Sequence, residues 1–164
     1  MGVADDLKRR LEIEIKALTA KINEPGNVRI IADEATRRIV TRTRLGYGVP
    51  GPEQTRQKLS PLKESTVKAR KKKTLSPNTS PKRSNLTDTG KMLDSITWRI
   101  IGRDTIRIAP SGGRDDGENN ADVAGYAHDG SSNRAKRPFL FLSDAETKGL
   151  SRFIRELLVK KLNR

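Results

Sequence analysis

Apolar residues recur at helical spacing toward both ends of the chain and at strand spacing in between. Leu7, Leu11, Ile15, Leu18 and Ile22 fall on one face of a helix expected over 3–23, with Lys and Glu between them. Pro25-Gly26 is expected to end it. Ile30, Ile31, Ala35, Ile39 and Val40 form the stripe of a second helix, from Asn27 or Val28 to about Thr43. Pro25 favours a break over one bent helix. At the other end Ser143-Asp144-Ala145-Glu146 reads as a capping box, in which Ser143 and Glu146 satisfy each other's backbone donors. It opens a last helix with Leu150, Phe153, Ile154, Leu157, Leu158 and Leu162 on one face.

The middle of the chain changes period. Ile96, Trp98 and Ile100 alternate with Thr97 and Arg99, the pattern of a half-buried strand. Gly102-Arg103-Asp104 makes a turn, and Thr105 to Ala109 returns with Ile106 and Ile108 on one face. A short helix is expected before this hairpin, from Asp88 to Leu93. Thr87 or Asp88 would cap it, and Met92 and Leu93 would face the core. After the hairpin, 111–121 reads as a flexible polar loop. Ala121 to His128 fits either a short helix followed by Gly130 or a strand. Pro138 to Leu142 reads as a buried strand. Gly46 to Pro52 reads as a stiff, kinked loop. Residues 50–85 form a long basic loop or arm, with a short helix within 63–73 whose Leu62, Val67 and Ala69 could rest on the core. The expected fold is one α+β domain spanning 1–164. Its N-terminal helices and C-terminal helix pack on a small, mainly antiparallel sheet.

Composition tempers this picture. Hydrophobic residues are 33% of the chain and aromatics 4%, which is lean for a self-sufficient core. A net charge of +14 opposes compaction by self-repulsion. A modest core is expected, with segments that order on a partner. The chain has no cysteine, hence no disulfide and no thiolate metal site. Met1 to Lys16 carries no apolar signal core, and no run approaches the ~18 apolar residues of a membrane span. The expectation is a chain that is intracellular until it joins something, with no membrane partner.

The charge is not evenly spread. Between Arg56 and Arg83 ten basic residues face the single acid Glu64, a net +9. A balance this basic points to a nucleic-acid partner, and Lys68, Arg70, Lys71, Lys72 and Lys73 are the candidate contacts to a polyanion or an acidic protein. Single-strand platforms interleave aromatics with positive charge, and 56–83 has none.

Other chemistry is thin. Gly46-Tyr47-Gly48-Val49-Pro50-Gly51 matches G-x-G-x-x-G. A dinucleotide site needs a strand before it and a helix after it; here a helix precedes and Pro50 removes a donor. His128 beside Asp129 lacks a nucleophile or second ligand at a recognisable spacing and reads as a packed or surface residue. Asp115-Asp116-Gly117-Glu118-Asn119 lacks the alternating ligands of a calcium loop and reads as a solvated turn. No catalytic residue, cofactor or metal site is expected.

Two ordered blocks carry more information than any of these. The first is Ser84-Asn85-Leu86-Thr87-Asp88-Thr89-Gly90-Lys91-Met92-Leu93-Asp94-Ser95-Ile96. The second is Tyr126-Ala127-His128-Asp129-Gly130 followed by Arg137-Pro138-Phe139-Leu140. Upstream stand Thr41 to Val49, then Leu59-Ser60-Pro61-Leu62-Lys63, then Thr66 to Arg70. In order and spacing this set, over about residues 37–160, resembles the tailed-phage virion-morphogenesis group: neck, head–tail joining and tail-completion proteins, including the minor tail protein Z type.

The resemblance implies a small, non-enzymatic α+β virion subunit. It forms a ring, usually a hexamer, at the head-proximal end of the tail and connects the tail to the DNA-filled capsid. Its partners would be other copies of itself and adjacent neck, head-closure, tail-terminator or tail-tube proteins, with genome DNA in the channel as a further partner. Leu86, Thr89, Gly90, Leu93, Ile96, Arg137, Pro138 and Phe139 would be the structural determinants of the joint. Gly90 would permit close packing or a special backbone angle, and Arg137 would anchor a carboxylate or carbonyl near the terminal helix. Residues 63–83 depart from the family pattern in length and charge. The alternatives are a tail terminator and a basic nucleic-acid-binding protein using 56–83.

Overall fold

A computed structural model describes residues 20–52, 54–75, 79–84, 86, 90–101, 105–113, 117–130 and 135–162. The helix expected over 3–23 lies mostly outside them; residues 20–22 are helical. The chain then turns at Asn23-Glu24 and enters α1, Pro25–Arg44. Pro25 therefore opens the second helix rather than closing the first, because its missing N–H costs nothing in a first turn. Asn27 is fully buried there, its Nδ2 donating to the Lys21 carbonyl at 2.6 Å.

The remaining elements follow in order: β1 (Tyr47–Gly48), β2 (Gln57–Lys58), α2 (Glu64–Arg70), α3 (Lys91–Asp94), β3 (Ile96–Ile100), β4 (Ile106–Pro110), α4 (Asn120–Asp129) and α5 (Asp144–Leu162). The fold is α+β, with its strands in two antiparallel pairs, β1–β2 and β3–β4. In the hairpin Ile96 faces Pro110, Trp98 faces Ile108 and Ile100 faces Ile106. Its expected turn, 102–104, lies outside the described residues.

α1 organises the rest, packing against α5, the β3–β4 hairpin and β1. It buries Ile31, Ala32, Ala35 and Ile39. α5 runs antiparallel to it: Arg42 pairs with Glu146 at one end, and Lys161 lies 3.8 Å from Glu24 at the other. Trp98 Nε1 donates to Asp33 Oδ1 at 2.7 Å, tying β3 to α1. Of the expected apolar face of α5, Leu158 is buried and Leu150, Phe153, Ile154 and Leu157 are half-buried. The central cluster is Met92, Leu93, Ile96, Ala124 and Phe139, with Leu86, Val40, Ile108 and Leu140 packed on it.

Several expectations change. Residues 138–142 form no strand. Gly46 to Pro52 contains the short strand β1, where a loop was expected. The short helix α3 starts at Lys91 behind Gly90, so neither Thr87 nor Asp88 occupies its cap position; both lie outside the described residues. Ala121 to His128 is helical, within α4. Asn119 caps it, its Oδ1 accepting from Asp122 N at 2.8 Å. The loop expected over 111–121 is pinched by a Gly113–Asn119 bridge, and its last two residues belong to α4.

Candidate functional site

The two sequence blocks meet in space. Leu93 and Ile96 from the first and Phe139 from the second share the central cluster, with Leu86 against it. Phe139 is fully buried, worth about 1.5–3 kcal/mol in apolar burial. Gly90 precedes α3 with φ +81°, in the left-handed region, where a Cβ is strained. It is also buried, and the special backbone angle expected of it is present. Leu86 has φ +56°; a bulky residue held there is an outlier that its packing on the cluster retains. Thr89 lies outside the described residues.

Arg137 is the latch between the second block and the basic segment. Its Nε donates to the Ser60 carbonyl at 3.0 Å and to Ser84 Oγ at 3.1 Å. Nη2 donates to the Pro61 carbonyl at 2.8 Å, and Nη1 to Ala135 O at 3.2 Å. Its backbone N donates to Ala127 O at 2.8 Å. The expected carbonyl anchor is therefore present, supplied by the basic segment rather than by the terminal helix. Burial pulls the guanidinium pKa down, and the nearby positive charge of Arg70 pulls it further.

The segment after Arg137 satisfies its backbone through side chains and one long-range backbone N–H, which is why no strand forms. Val49 N donates to Pro138 O at 2.9 Å. Arg42 donates to the Phe139 carbonyl. His128 Nδ1 accepts from Phe139 N at 3.2 Å and from Leu140 N at 3.4 Å. His128 also stacks edge-on against Phe141, centroids 5.1 Å apart. Burial lowers its pKa and the Lys136 charge adds to that, while Asp129 opposes. The imidazole holds two backbone donors as a neutral acceptor, the packed one of the two roles expected of it.

The capping box forms as expected, with additions. Glu146 Oε2 accepts from Ser143 N at 2.8 Å and Ser143 Oγ at 2.9 Å, and Glu146 N donates to Ser143 Oγ at 3.3 Å. The same carboxylate pairs with Arg42, which is 4% exposed. Burial lowers the Arg42 pKa while Glu146 opposes the shift. Arg42 thus ties α1, the 138–142 segment and the start of α5 together.

The basic cluster divides. Lys68, Lys71, Lys72 and Lys73 are exposed. Arg70, grouped with them as a polyanion contact, is 6% exposed and donates to the Arg83 carbonyl at 3.0 Å. Ala69, expected to rest on the core, is exposed instead. The segment is also pinned: β2 pairs with β1, Leu59 N donates to Gly46 O at 2.8 Å, and Ser60 Oγ donates to Lys136 O at 3.1 Å.

Sequence reasoning missed Arg42 and Gly48. A Cβ on Gly48 would fall inside the Pro138 carbonyl and 2.6 Å from Leu59 Cδ2. The second glycine of the G-x-G-x-x-G match therefore serves a close backbone approach, and no helix follows it. Arg42 lies in the Thr41 to Val49 stretch, but neither that nor its place on the inner face of a helix pointed to its partners. Among the described residues no group of three His, Asp or Glu side chains gathers, and no helix is long and apolar enough to cross a membrane. Compared with known proteins, the chain matches no family model, no curated protein and no solved structure.

Proposed function

We propose that this chain is a non-enzymatic structural subunit of a tailed-phage head–tail joint, which assembles into a ring and connects the tail to the filled capsid. The supporting observation is that the two blocks carrying the resemblance pack into one cluster, with Arg137 latching the second to the intervening basic segment. In this reading the motif residues are a frame, which holds outward surfaces in register for neighbours.

Those surfaces suit assembly. Ile30, Leu45, Ile100, Tyr126 and Val159 are exposed. An apolar cleft of about 290 Å³ opens among Ile106, Ile108, Leu140, Phe141 and Leu142. Head-to-tail contacts that close by rotation would cover such surface in every copy.

The test is deletion of the gene from the phage or prophage that encodes it, followed by electron microscopy of the lysate. Filled heads beside unjoined tails are expected. Aberrantly long tails would identify a terminator, and normal infectious particles would exclude the assembly role. A second reading has its own observation: Lys68, Lys71, Lys72 and Lys73 are exposed on and just beyond α2. If they grip DNA, duplex affinity falls steeply with salt as counterions are released. Absence of binding at low salt would dispose of it.

A further inference from the structure

A second recess, also of about 290 Å³, lies between the β1–β2 pair and residues 136–138. Leu59 and Pro138 supply apolar wall, Ser60 a hydroxyl, and Lys58, Lys136 and Arg137 positive charge; among the described residues no Asp or Glu lines it. Lys58 and Lys136 are exposed at the rim and pair with no carboxylate among the described residues. Arg137 spends its donors on carbonyls and a hydroxyl, which stabilise its charge without cancelling it.

Positive charge focused in a recess with low-dielectric walls concentrates anions there. We infer that this recess is a carboxylate receptor, taking an Asp or Glu side chain with an apolar neighbour from a protein partner. The apolar walls match that neighbour, and the two rim ammonium groups match the carboxylate. A polynucleotide fits less well. No aromatic side chain lines the recess to stack a base, and Lys71, Lys72 and Lys73 beyond α2 offer phosphate three consecutive exposed cations instead. The site stands on its own chemistry, so it holds or fails independently of the head–tail reading.

The test uses the full chain and a fluorescein-labelled peptide of alternating Leu and Asp, beside its Leu–Asn twin, read by anisotropy. The acidic peptide is expected to bind about tenfold tighter than the amide twin. Lys58→Gln/Lys136→Gln should remove about that factor, within the range of close charge pairs across interfaces. Lys71→Gln/Lys72→Gln/Lys73→Gln should change affinity less than about twofold, since screened charges outside the recess contribute little. Both sets alter exposed side chains, and circular dichroism would verify that each variant is folded. Equal losses in the two variants would show diffuse surface attraction and overturn the receptor. So would no binding by the parent chain. A single-stranded oligonucleotide that displaces the peptide and itself weakens on Lys58→Gln/Lys136→Gln would overturn the carboxylate assignment in favour of phosphate.

Discussion

Arg42 is buried and Arg137 half-buried, and the two guanidinium groups solve the same problem differently. Arg42 has a carboxylate partner in Glu146 and a carbonyl from Phe139. Arg137 holds the carbonyls of Ser60, Pro61 and Ala135, with Ser84 Oγ and the like charge of Arg70 nearby. At the Arg42 corner charge is cancelled and three parts of the frame are fused. At the Arg137 corner charge is kept and a basic segment is fastened to that frame. Neutralised charge marks where the fold is closed, and retained charge marks the corner where the carboxylate receptor is proposed.

The comparison can be broken at four points. Arg42→Met leaves Glu146 partly buried without its partner, and stability should fall by about 3–5 kcal/mol, measured by urea denaturation. Arg42→Met/Glu146→Gln should recover part of that, because the orphaned charge is gone. If the single variant costs less than the Arg137 variant, the contrast between the corners is inverted.

Arg137→Gln should cost less, about 2 kcal/mol from lost charge-assisted hydrogen bonds. Its larger sign should be local: trypsin cuts within 56–83 much faster while the frame melts nearly as before. Equal protection of that segment in both chains would remove the latch.

His128 titrates the junction between them. Its folded pKa lies below the ordinary 6.5 because burial disfavours the imidazolium, so the unfolded chain binds the proton more readily. Its contribution is complete above about pH 6.5 and is lost as pH falls through the folded value. Stability should drop on acidification over that window, and His128→Gln should flatten this part of the profile. A profile unchanged by the substitution would mean that the imidazole is not the acceptor holding Phe139 and Leu140.

The smallest effect belongs to the outward lysines. Lys68→Gln/Lys71→Gln/Lys72→Gln/Lys73→Gln should move stability by no more than about 0.5 kcal/mol, since even the Lys68–Glu64 pair is exposed on both sides. A larger loss by thermal melt would place these residues in the frame after all.

Elements legible in the sequence share one property: their hydrogen bonds are local. α1 and α5 follow from apolar positions at helical spacing, the capping box from Ser143 and Glu146, and the β3–β4 hairpin from alternation about a short turn. Clustering of Leu93, Ile96 and Phe139 is legible in part, because their two blocks stand out together in the sequence.

What the tertiary structure decided is where long-range partners fall. Residues 138–142 look like a buried strand, yet their backbone is taken by His128, Arg42 and Val49. Arg70 turns inward and Ala69 outward because the Arg83 carbonyl lies within reach of the guanidinium. Gly48 is required by the Pro138 carbonyl, 90 residues away in sequence. Periodicity reports which face of an element avoids water, a property of neighbours along the chain. It carries nothing about which carbonyl a buried cation will meet, because chain segments distant in sequence set that geometry when they pack.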